Sequence, residues 1–158
     1  MKQFRHELTI GDEADIAALV ARTGVFNEEE ITIARDLVRE TRSGVPGADY
    51  LFLIADGMTR IEGYTCYGRI PGTDNRYELY WIAVDPGDHR HGLGRTLLEA
   101  SERDVRRRGG THLFAETSTR DEYAPARRFY MANGYSCHAE VPDFHADGDG
   151  LAIFGKRF

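Results

Sequence analysis

A loop of histidine, arginine and glycine joins an apolar run to a helix-like repeat in the stretch IAVDPGDHRHGLGRTLLEA, residues 82–100. Gly92 and Gly94 allow close approach of the backbone to a ligand, and the first turn of a helix offers N–H groups with partial positive charge. A phosphate or pyrophosphate group satisfies both conditions. The stretch lacks the Gly-Lys-Ser/Thr end of a Walker loop, and Leu97 breaks the dinucleotide pattern G-x-G-x-x-G. On these residues alone, a plain tight turn is as good an interpretation as a phosphate site.

The elements that hold this loop follow from hydrophobic spacing. Asn27 stands three residues before Glu30, which indicates the start of a helix. Leu93 begins an apolar stripe at helical spacing, and the glycine pair at 109–110 ends it. Apolar runs and turn signals predict strands over residues 4–10, 50–57, 60–70, 76–86, 111–118, 135–141 and 151–158, and periodicity predicts helices over residues 12–23, 27–38, 93–108 and 121–133.

The centre of the chain is therefore predicted to run strand, helix, strand. Such a unit is almost always a right-handed crossover between parallel strands, and ligands bind beyond the carboxyl ends of those strands. The loop of histidine, arginine and glycine lies at that end. Element order thus puts the loop where a ligand would bind.

Composition and charge exclude several classes of protein. The 158 residues fit one domain, and 41% hydrophobic with 29% charged residues is ordinary globular usage. No apolar run approaches the ~20 residues of a membrane-spanning helix, and the first residues lack a signal-peptide pattern, so we expect a cytoplasmic protein. A net charge of -6 argues against broad nucleic-acid binding and mildly favours a cationic substrate. The histidine spacing does not resemble a structural zinc site, and we expect no metal.

The run VDPGDHRHGLGRTLL resembles the acyl-coenzyme A signature of the GNAT acetyltransferases, which is Arg/Gln-x-x-Gly-x-Gly/Ala after a strand ending in Val-x-Pro. His89, Gly92 and Gly94 fall on its three fixed positions. His89 departs from the pattern, because the family has Arg or Gln there. The resemblance implies that the loop binds the pyrophosphate of acetyl-CoA, mainly through backbone N–H groups. The residues implied in this contact are His89, Arg90, His91, Gly92, Leu93, Gly94, Arg95 and Thr96.

The run YAPARRFYMANGYS resembles a later helix of the same family, Asn-x-x-Ala-x-x-Phe-Tyr-x-x-x-Gly-Phe. The matching positions are Ala126, Phe129, Tyr130, Gly134 and Tyr135, whereas Tyr123 replaces the common Asn. The resemblance implies that Tyr123 and Ala126 contact the coenzyme. It also implies that Tyr130 donates a proton or a hydrogen bond to the departing sulfur. Packing beside Phe129 is the alternative, and the motif match favours the catalytic interpretation.

The resemblance covers nearly the whole chain and implies a single GNAT N-acetyltransferase domain over residues 1–158. The implied fold is α/β (α+β), with a mixed, mostly antiparallel central sheet of about seven strands, a parallel, splayed central pair and about four helices. The pantetheine arm is expected to lie along the strand before the loop, where it would pair with the backbone of Ile82, Ala83 and Val84.

Two glutamates are candidates for a general base. Glu78 lies eleven residues before His89, a spacing at which some GNAT enzymes place their base, and Glu116 lies on the neighbouring predicted strand. A base is needed because an alkylammonium group has a pKa near ~10.4, so that forming the neutral amine at pH 7 costs about 4.6 kcal/mol. A solvent-facing strand carboxylate explains Glu78 nearly as well. The sequence does not choose between Glu78, Glu116 and water.

The leading hypothesis is an N-acetyltransferase that moves an acetyl group directly from acetyl-CoA, its co-substrate, to a primary amine of a small molecule or a protein. A non-catalytic acyl-CoA-binding sensor or interaction module of the same fold is the main alternative. A third alternative is a nucleic-acid-associated factor that uses the arginines at 106–108. We expect no nucleic-acid and no membrane partner, and a homodimer is left open because dimers are common in resembling proteins.

Overall fold

Six strands and four α-helices make up the regular structure of residues 2–158, which the computed structural model describes apart from the side chains of residues 89 and 90. The helices are α1 (Asp12–Thr23), α2 (Glu28–Arg42), α3 (Leu93–Arg107) and α4 (Ala124–Ala132). The strands are β1 (Leu51–Asp56), β2 (Ile61–Arg69), β3 (Tyr77–Val84), β4 (His112–Ser118), β5 (Ser136–Ala146) and β6 (Asp149–Arg157). Short 3₁₀ helices cover Pro86–His91 and Asp121–Tyr123.

The strands form one mixed sheet in the order β1-β2-β3-β4-β6-β5. β1 pairs antiparallel with β2, and β6 pairs antiparallel with both β4 and β5. β3 and β4 are parallel, with Tyr77 opposite Leu113 and Leu79 opposite Ala115. The predictions of a mixed sheet with one parallel pair and of four helices are confirmed. The splay of that pair stays a prediction.

The prediction of about seven strands is wrong, because residues 4–10 do not form a strand. Arg5 pairs with Ile54 through two backbone hydrogen bonds of 3.0 and 2.9 Å, but this is an isolated bridge. The guanidinium of Arg5 then donates to both carboxylate oxygens of Asp12 (2.8 and 2.7 Å). The N–H of Thr9 also donates to Asp12 (2.6 Å). These local bonds turn the chain into α1 instead of extending it along β1.

The residues group into two compact units. One unit comprises residues 1–68 and 81–103, and the other comprises residues 69–80 and 104–158. Buried side chains in the first unit include Leu19, Ile54, Tyr64 and Leu97, and those in the second include Val105, Leu113, Tyr130 and Phe154. The single domain over residues 1–158 stays a prediction.

Local sequence signals set the ends of the helices. Asn27 and Glu30 form the predicted capping box of α2, with reciprocal side-chain to backbone hydrogen bonds of 2.8 and 3.2 Å. α3 ends where the N–H groups of Gly109 and Gly110 donate to carbonyls of the last helical turns, at 2.9 Å each. Gly110 also permits close packing, since a Cβ there would lie 2.5 Å from the side chain of Val105.

The C-terminal hairpin is longer than predicted. The sequence predicts a loop over residues 142–150, but β5 continues to Ala146 and β6 begins at Asp149. The ladder is interrupted before Ala146, and this irregularity accommodates Pro142, which has no N–H, and Asp143, which has a φ of 56°. Such residues are tolerated because β5 is the edge of the sheet, and all of its residues are exposed.

Candidate active site

Residues 85–94, which we call the glycine loop, join β3 to α3. The backbone forms the 3₁₀ helix Pro86–His91 and reverses at Gly92, whose φ of 72° lies in the left-handed region. A Cβ at Gly92 would meet no atom within 4 Å, so the backbone conformation, and not crowding, favours glycine there. Gly94 is the second residue of α3. The loop therefore ends, and the helix begins, between the two glycines of the motif.

The N-terminus of α3 differs in charge from those of α1 and α2. α1 and α2 each carry three acidic residues in the first turn, whereas the first turn of α3 has none among its described residues. N–H groups in a first turn have no acceptor within their own helix and carry partial positive charge. Acidic side chains complement that charge in α1 and α2. At α3 the charge is left for an external anion, which fits the phosphates of coenzyme A.

Some side chains of the glycine loop and of the first turns of α3 already contact other parts of the protein. The side chain of Leu93 is buried and packs close to Gly63, since a Cβ added at Gly63 would lie only 3.3 Å from it. The hydroxyl of Thr96 donates to the carbonyl oxygen of Gly92 (3.0 Å). Leu93 would therefore contact an anion through its backbone N–H, whereas the backbone N–H of Thr96 already donates to the carbonyl oxygen of Gly92 (3.1 Å). The side chains of residues 89 and 90 lie outside the described part of the chain, so their phosphate contacts stay predictions.

The remaining predicted contacts of the loop are exposed. The guanidinium of Arg95 is 72% exposed and pairs with Glu99 (2.8 Å), one turn further along α3. His91 lies 3.8 Å from the carboxylate of Asp88. An open depression of about 140 Å³ lies beside the loop, lined by Lys2, Glu62, Asp88, His91, Leu93 and Thr96. Three of the predicted coenzyme contacts thus share one concave surface.

Asp85, at the start of the glycine loop, is a residue that the sequence analysis missed. Its carboxylate accepts hydrogen bonds from Arg22 (2.8 Å), Arg60 (3.2 Å) and the N–H of Gly87 (3.1 Å). Burial by itself raises the pKa of Asp85, but the N–H of Gly87 and the two guanidinium groups outweigh it and hold the pKa below its usual range. The signal in the sequence was an acidic residue between an apolar strand and a proline.

The end of β3 supplies the predicted backbone contacts of the pantetheine arm. Ile82 is half-buried, whereas Ala83 and Val84 are buried. Gly63 allows β2 to lie close to this segment, because a Cβ there would be 3.1 Å from the carbonyl oxygen of Ala83. Pairing of these three residues with pantetheine stays a prediction.

Glu78 and Glu116 lie on the same face of the parallel pair β3 and β4. Glu78 is opposite Phe114, and Glu116 is two residues further along β4, so both side chains point to that face. Burial, together with the nearby charge of Glu116, raises the pKa of Glu78 to about 7. The structure therefore brings the two predicted bases together and distinguishes them, since Glu78 is half-buried and Glu116 is exposed.

The positively charged side chains on this part of the sheet lie near His112. Burial lowers the pKa of His112, and the cations Arg76 and Arg157 and the nearby His138 lower it further. Among the described side chains, no cation forms an ion pair with Glu78 or Glu116. The carboxyl of Glu78 is therefore not neutralised, which is why its pKa rises instead of falling.

Tyr130 lies in α4 and packs in an aromatic cluster. Its ring centroid is 5.6 Å from Phe129, 5.7 Å from Tyr135 and 5.6 Å from Phe154. Phe154 pairs with Ala115, and the side chains of Ala115 and Glu116 point to opposite faces of the sheet. Because Tyr130 packs against Phe154, it lies on the face opposite the two carboxylates. Burial raises the pKa of Tyr130, and the phenol therefore stays protonated at neutral pH.

The start of α4 is held by an arginine. Arg127 donates from one terminal nitrogen to the carbonyl oxygens of Ser118 (2.7 Å) and Arg120 (2.9 Å). These bonds tie the end of β4 to the first turns of α4. Tyr123 caps α4 without a side-chain hydrogen bond to its backbone, and Ala126 lies in its first turn. Coenzyme contacts of Tyr123 and Ala126 stay predictions.

The described residues offer neither a metal site nor a membrane-spanning helix. Within residues 2–158, no group of three or more His, Cys, Asp or Glu side chains could hold a metal ion, and no described helix is long and apolar enough to cross a membrane. The arginines at 106–108 are engaged, because Asp104 pairs with Arg107 (3.2 Å) and Arg108 (2.8 Å) and Arg106 lies over the ring of Phe158. The predictions about nucleic acid, a homodimer and localisation stay predictions.

Comparison with known proteins identifies the family. Residues 19–135 match the family model described as the acetyltransferase (GNAT) family. A search of curated protein sequences found no significant match. A crystal structure described as an acetyltransferase of the GNAT family from Desulfovibrio desulfuricans is 39% identical to the chain, covers 99% of both chains and superposes with a TM-score of 0.95.

More distant structures share the fold. The PaiA N-acetyltransferase of Thermoplasma acidophilum, solved in complex with coenzyme A, is 20% identical over 100% of this chain and 99% of its own, with a TM-score of 0.72. The aminoglycoside 6'-N-acetyltransferase of Enterococcus faecium is 16% identical over 98% and 96% of the two chains, with a TM-score of 0.74. With the glycine loop at the start of α3 and the family model across both motifs, the chain belongs to the GNAT family of acetyltransferases and is an acyltransferase.

Proposed function

We propose that the protein transfers an acetyl group from acetyl-CoA directly to a primary amine of a small molecule or a protein. The observation that carries this proposal is Glu78, a half-buried carboxyl whose pKa of about 7 suits a base that works near neutral pH. Membership of the family gives acyl transfer. The base indicates an acceptor that must lose a proton, as an alkylammonium group must.

The glycine loop binds the pyrophosphate of the coenzyme. Its suitability rests on the left-handed Gly92, the start of α3 immediately after it and the lack of acidic residues in the first turn of α3. Backbone N–H groups provide the contact, with His89 and Arg90 as additional candidates. Ile82, Ala83 and Val84 bind the pantetheine arm through their backbone, as the family resemblance implies.

Glu78 accepts the proton that the acceptor ammonium releases. The neutral amine nitrogen attacks the thioester carbon, the C–N bond forms and the C–S bond breaks with its electron pair passing to sulfur. The proton that the nitrogen then loses goes to the departing thiolate, directly or through solvent, so that an amide and the thiol of coenzyme A result. Glu116 raises the pKa of Glu78 by its negative charge, and its exposed carboxylate attracts the cationic acceptor. The pair thus combines proton acceptance with electrostatic attraction of the substrate.

Tyr130 donates a hydrogen bond to the departing thiolate from the face of the sheet opposite Glu78, which requires the thioester to lie where β3 and β4 are predicted to splay. Burial raises the pKa of its phenol above the ordinary ~10, whereas an ordinary thiol has a pKa of ~8.5, so full proton transfer from Tyr130 would be uphill. Hydrogen bonding stabilises the developing negative charge without that transfer. The aromatic cluster around Tyr130 holds the phenol in place.

The experiment that tests this function measures free thiol released from acetyl-CoA in the presence of a panel of primary amines. The panel includes diamines, aminoglycosides, amino acid amides and peptides with a free N-terminus. We expect thiol release that depends on the amine and mass spectrometry that detects the acetylated amine. Coenzyme binding without release by any amine would favour the acyl-CoA-binding sensor and contradict the proposed reaction.

A further inference from the structure

A buried carboxylate that the proposed chemistry does not use lies at the start of the glycine loop. Asp85 is 3% exposed. We propose that Asp85 is a positioning residue, which holds the glycine loop in the shape that binds the pyrophosphate of coenzyme A. This inference rests on the proposed function, because it takes the ligand of the loop from it.

Asp85 organises the first turn of the loop. One carboxylate oxygen accepts the N–H of Gly87 (3.1 Å), and its carbonyl oxygen accepts the N–H of Asp88 (2.8 Å). These two bonds close the turn that begins the 3₁₀ helix Pro86–His91. The direction in which the loop leaves β3 is therefore set by this one residue.

Asp85 also ties the loop to α1, to β2 and to the turn before β2, all in the same compact unit. Its other carboxylate oxygen accepts from Arg22 in the last turn of α1 (2.8 Å), and Arg60, just before β2, donates to the oxygen that also accepts from Gly87 (3.2 Å). The N–H of Asp85 donates to the carbonyl oxygen of Glu62 in β2 (2.7 Å). The side chain and the main chain of Asp85 are therefore both fixed. The backbone N–H groups of the glycine loop that follow Asp85 are thus ordered before a ligand binds.

Because Asp85 is negatively charged, a positioning role and a purely electrostatic role predict opposite effects of its loss on coenzyme affinity. A carboxylate beside a phosphate site repels the phosphate, and its removal would leave Arg22 and Arg60 without this partner. Electrostatics alone therefore predicts that loss of Asp85 strengthens coenzyme binding. Positioning predicts the opposite sign, because a disordered loop must be ordered when the ligand binds.

The test compares Asp85→Asn with Asp49→Asn, which removes one negative charge from an exposed position outside the glycine loop. The probe is coenzyme A, and its dissociation constant is measured by calorimetry. We expect Asp85→Asn to weaken binding roughly 10- to 100-fold, as for other small displacements of binding groups, and Asp49→Asn to leave it unchanged. Equal or tighter binding by Asp85→Asn overturns the proposal.

A second readout separates positioning from a general loss of stability. S-acetylpantetheine lacks the pyrophosphate, so we expect kcat/KM for this truncated donor to be the same in Asp85→Asn and the unaltered protein, whereas the KM for acetyl-CoA rises. A parallel loss with both donors would assign Asp85 a structural role only. If Asp85→Asn does not fold, Arg22→Gln, which removes one of its partners, is measured in its place with the same expected direction.

Hydrogen exchange tests the loop without any ligand. We expect the amides of residues 87–92 to exchange faster in Asp85→Asn, while those of β4 and β6 are unchanged. If the loop exchanges faster in Asp85→Asn but the unaltered protein does not bind coenzyme A, Asp85 still orders the loop and the proposed function is wrong. Unchanged exchange together with unchanged affinity in a protein that binds coenzyme A would remove the positioning role and leave the function.

Discussion

Glu116 lies on the same face of the parallel strands as Glu78 and, by its charge, adds to the effect of burial on the pKa of Glu78. The two residues therefore form one electrostatic unit within the second compact unit of the chain. Neither side chain forms an ion pair with another described side chain. A change at Glu116 should consequently be visible in the titration of Glu78.

We expect the pH dependence of acetyl transfer to follow Glu78. A base with a pKa of about 7 is protonated and inactive below that pH, so kcat/KM should rise between pH 6 and pH 8. Glu78→Gln should lower kcat/KM at pH 7 by roughly 100-fold or more and replace the midpoint near pH 7 with a rise that continues towards the pKa of the amine, ~10.4. A pH-rate profile that Glu78→Gln leaves unaltered would remove Glu78 from the mechanism.

Glu116→Gln should shift that profile to lower pH. Removing the charge of Glu116 lowers the pKa of Glu78, and the fraction of active base at pH 6 therefore increases. The midpoint should remain above the ordinary carboxyl value, because burial of Glu78 persists. A shift to higher pH would show that the two carboxylates do not interact in this way. Measuring kcat/KM for the best amine from pH 5.5 to 9 decides this.

The same pKa predicts a change in stability with pH. Glu78 is protonated more readily in the folded protein, at a pKa of about 7, than in the unfolded chain, at about 4.5. Its stabilising contribution is therefore present below pH 4.5 and is lost as the pH rises towards and through 7. Glu78→Gln removes this loss, so its Tm relative to the unaltered protein should be higher at pH 8 than at pH 5. A Tm difference that is the same at both values would contradict the shifted pKa.

Tyr130→Phe isolates the hydroxyl from the ring. The ring contacts with Tyr135 and Phe154 remain, so Tm and coenzyme affinity should change little, whereas acetyl transfer should slow by roughly 10- to 100-fold. Tyr130→Ala is the matched comparison, and loss of the buried ring should destabilise the protein by about 3 kcal/mol or more. Unchanged turnover in Tyr130→Phe would leave Tyr130 with packing alone.

Arg5 should contribute strongly to stability although it lies near the N-terminus. It pairs with the buried Asp12 and with Asp56, and its removal leaves the carboxylate of Asp12 without its cation. We expect Arg5→Ala to cost about 3 kcal/mol in the free energy of unfolding, and the matched surface change Arg35→Ala to cost under about 0.5 kcal/mol. Urea unfolding of both variants measures the difference, and equal costs would contradict this account.

Sequence periodicity was sufficient for most elements, and the glycine loop was found from its residues because backbone conformation there depends on neighbours in sequence. Asp85 was missed because its burial depends on Arg22 and Arg60, which are 63 and 25 residues away. The strand expected over residues 4–10 was wrong for a related reason, since side-chain bonds of Arg5 and Asp12 compete with strand pairing.

The choice between Glu78 and Glu116 also required the register of the sheet. Each glutamate directly follows an apolar or aromatic residue within its own strand, so each looks like an ordinary strand carboxylate. Only the pairing of β3 with β4 brings the two to one face, where burial and the charge of Glu116 raise the pKa of Glu78. The family resemblance supplied a spacing for the base but not its environment.

In the hairpin of β5 and β6, β5 forms an exposed edge of the sheet. An exposed edge strand offers unpaired backbone groups to any other strand, which is a common route to aggregation. Along β5, Pro142 has no N–H to offer, and Asp143 turns the backbone into the left-handed region. A strand from another molecule could therefore not continue a regular ladder past this point. The same irregularity that lengthens the hairpin acts as a built-in stop to further growth of the sheet.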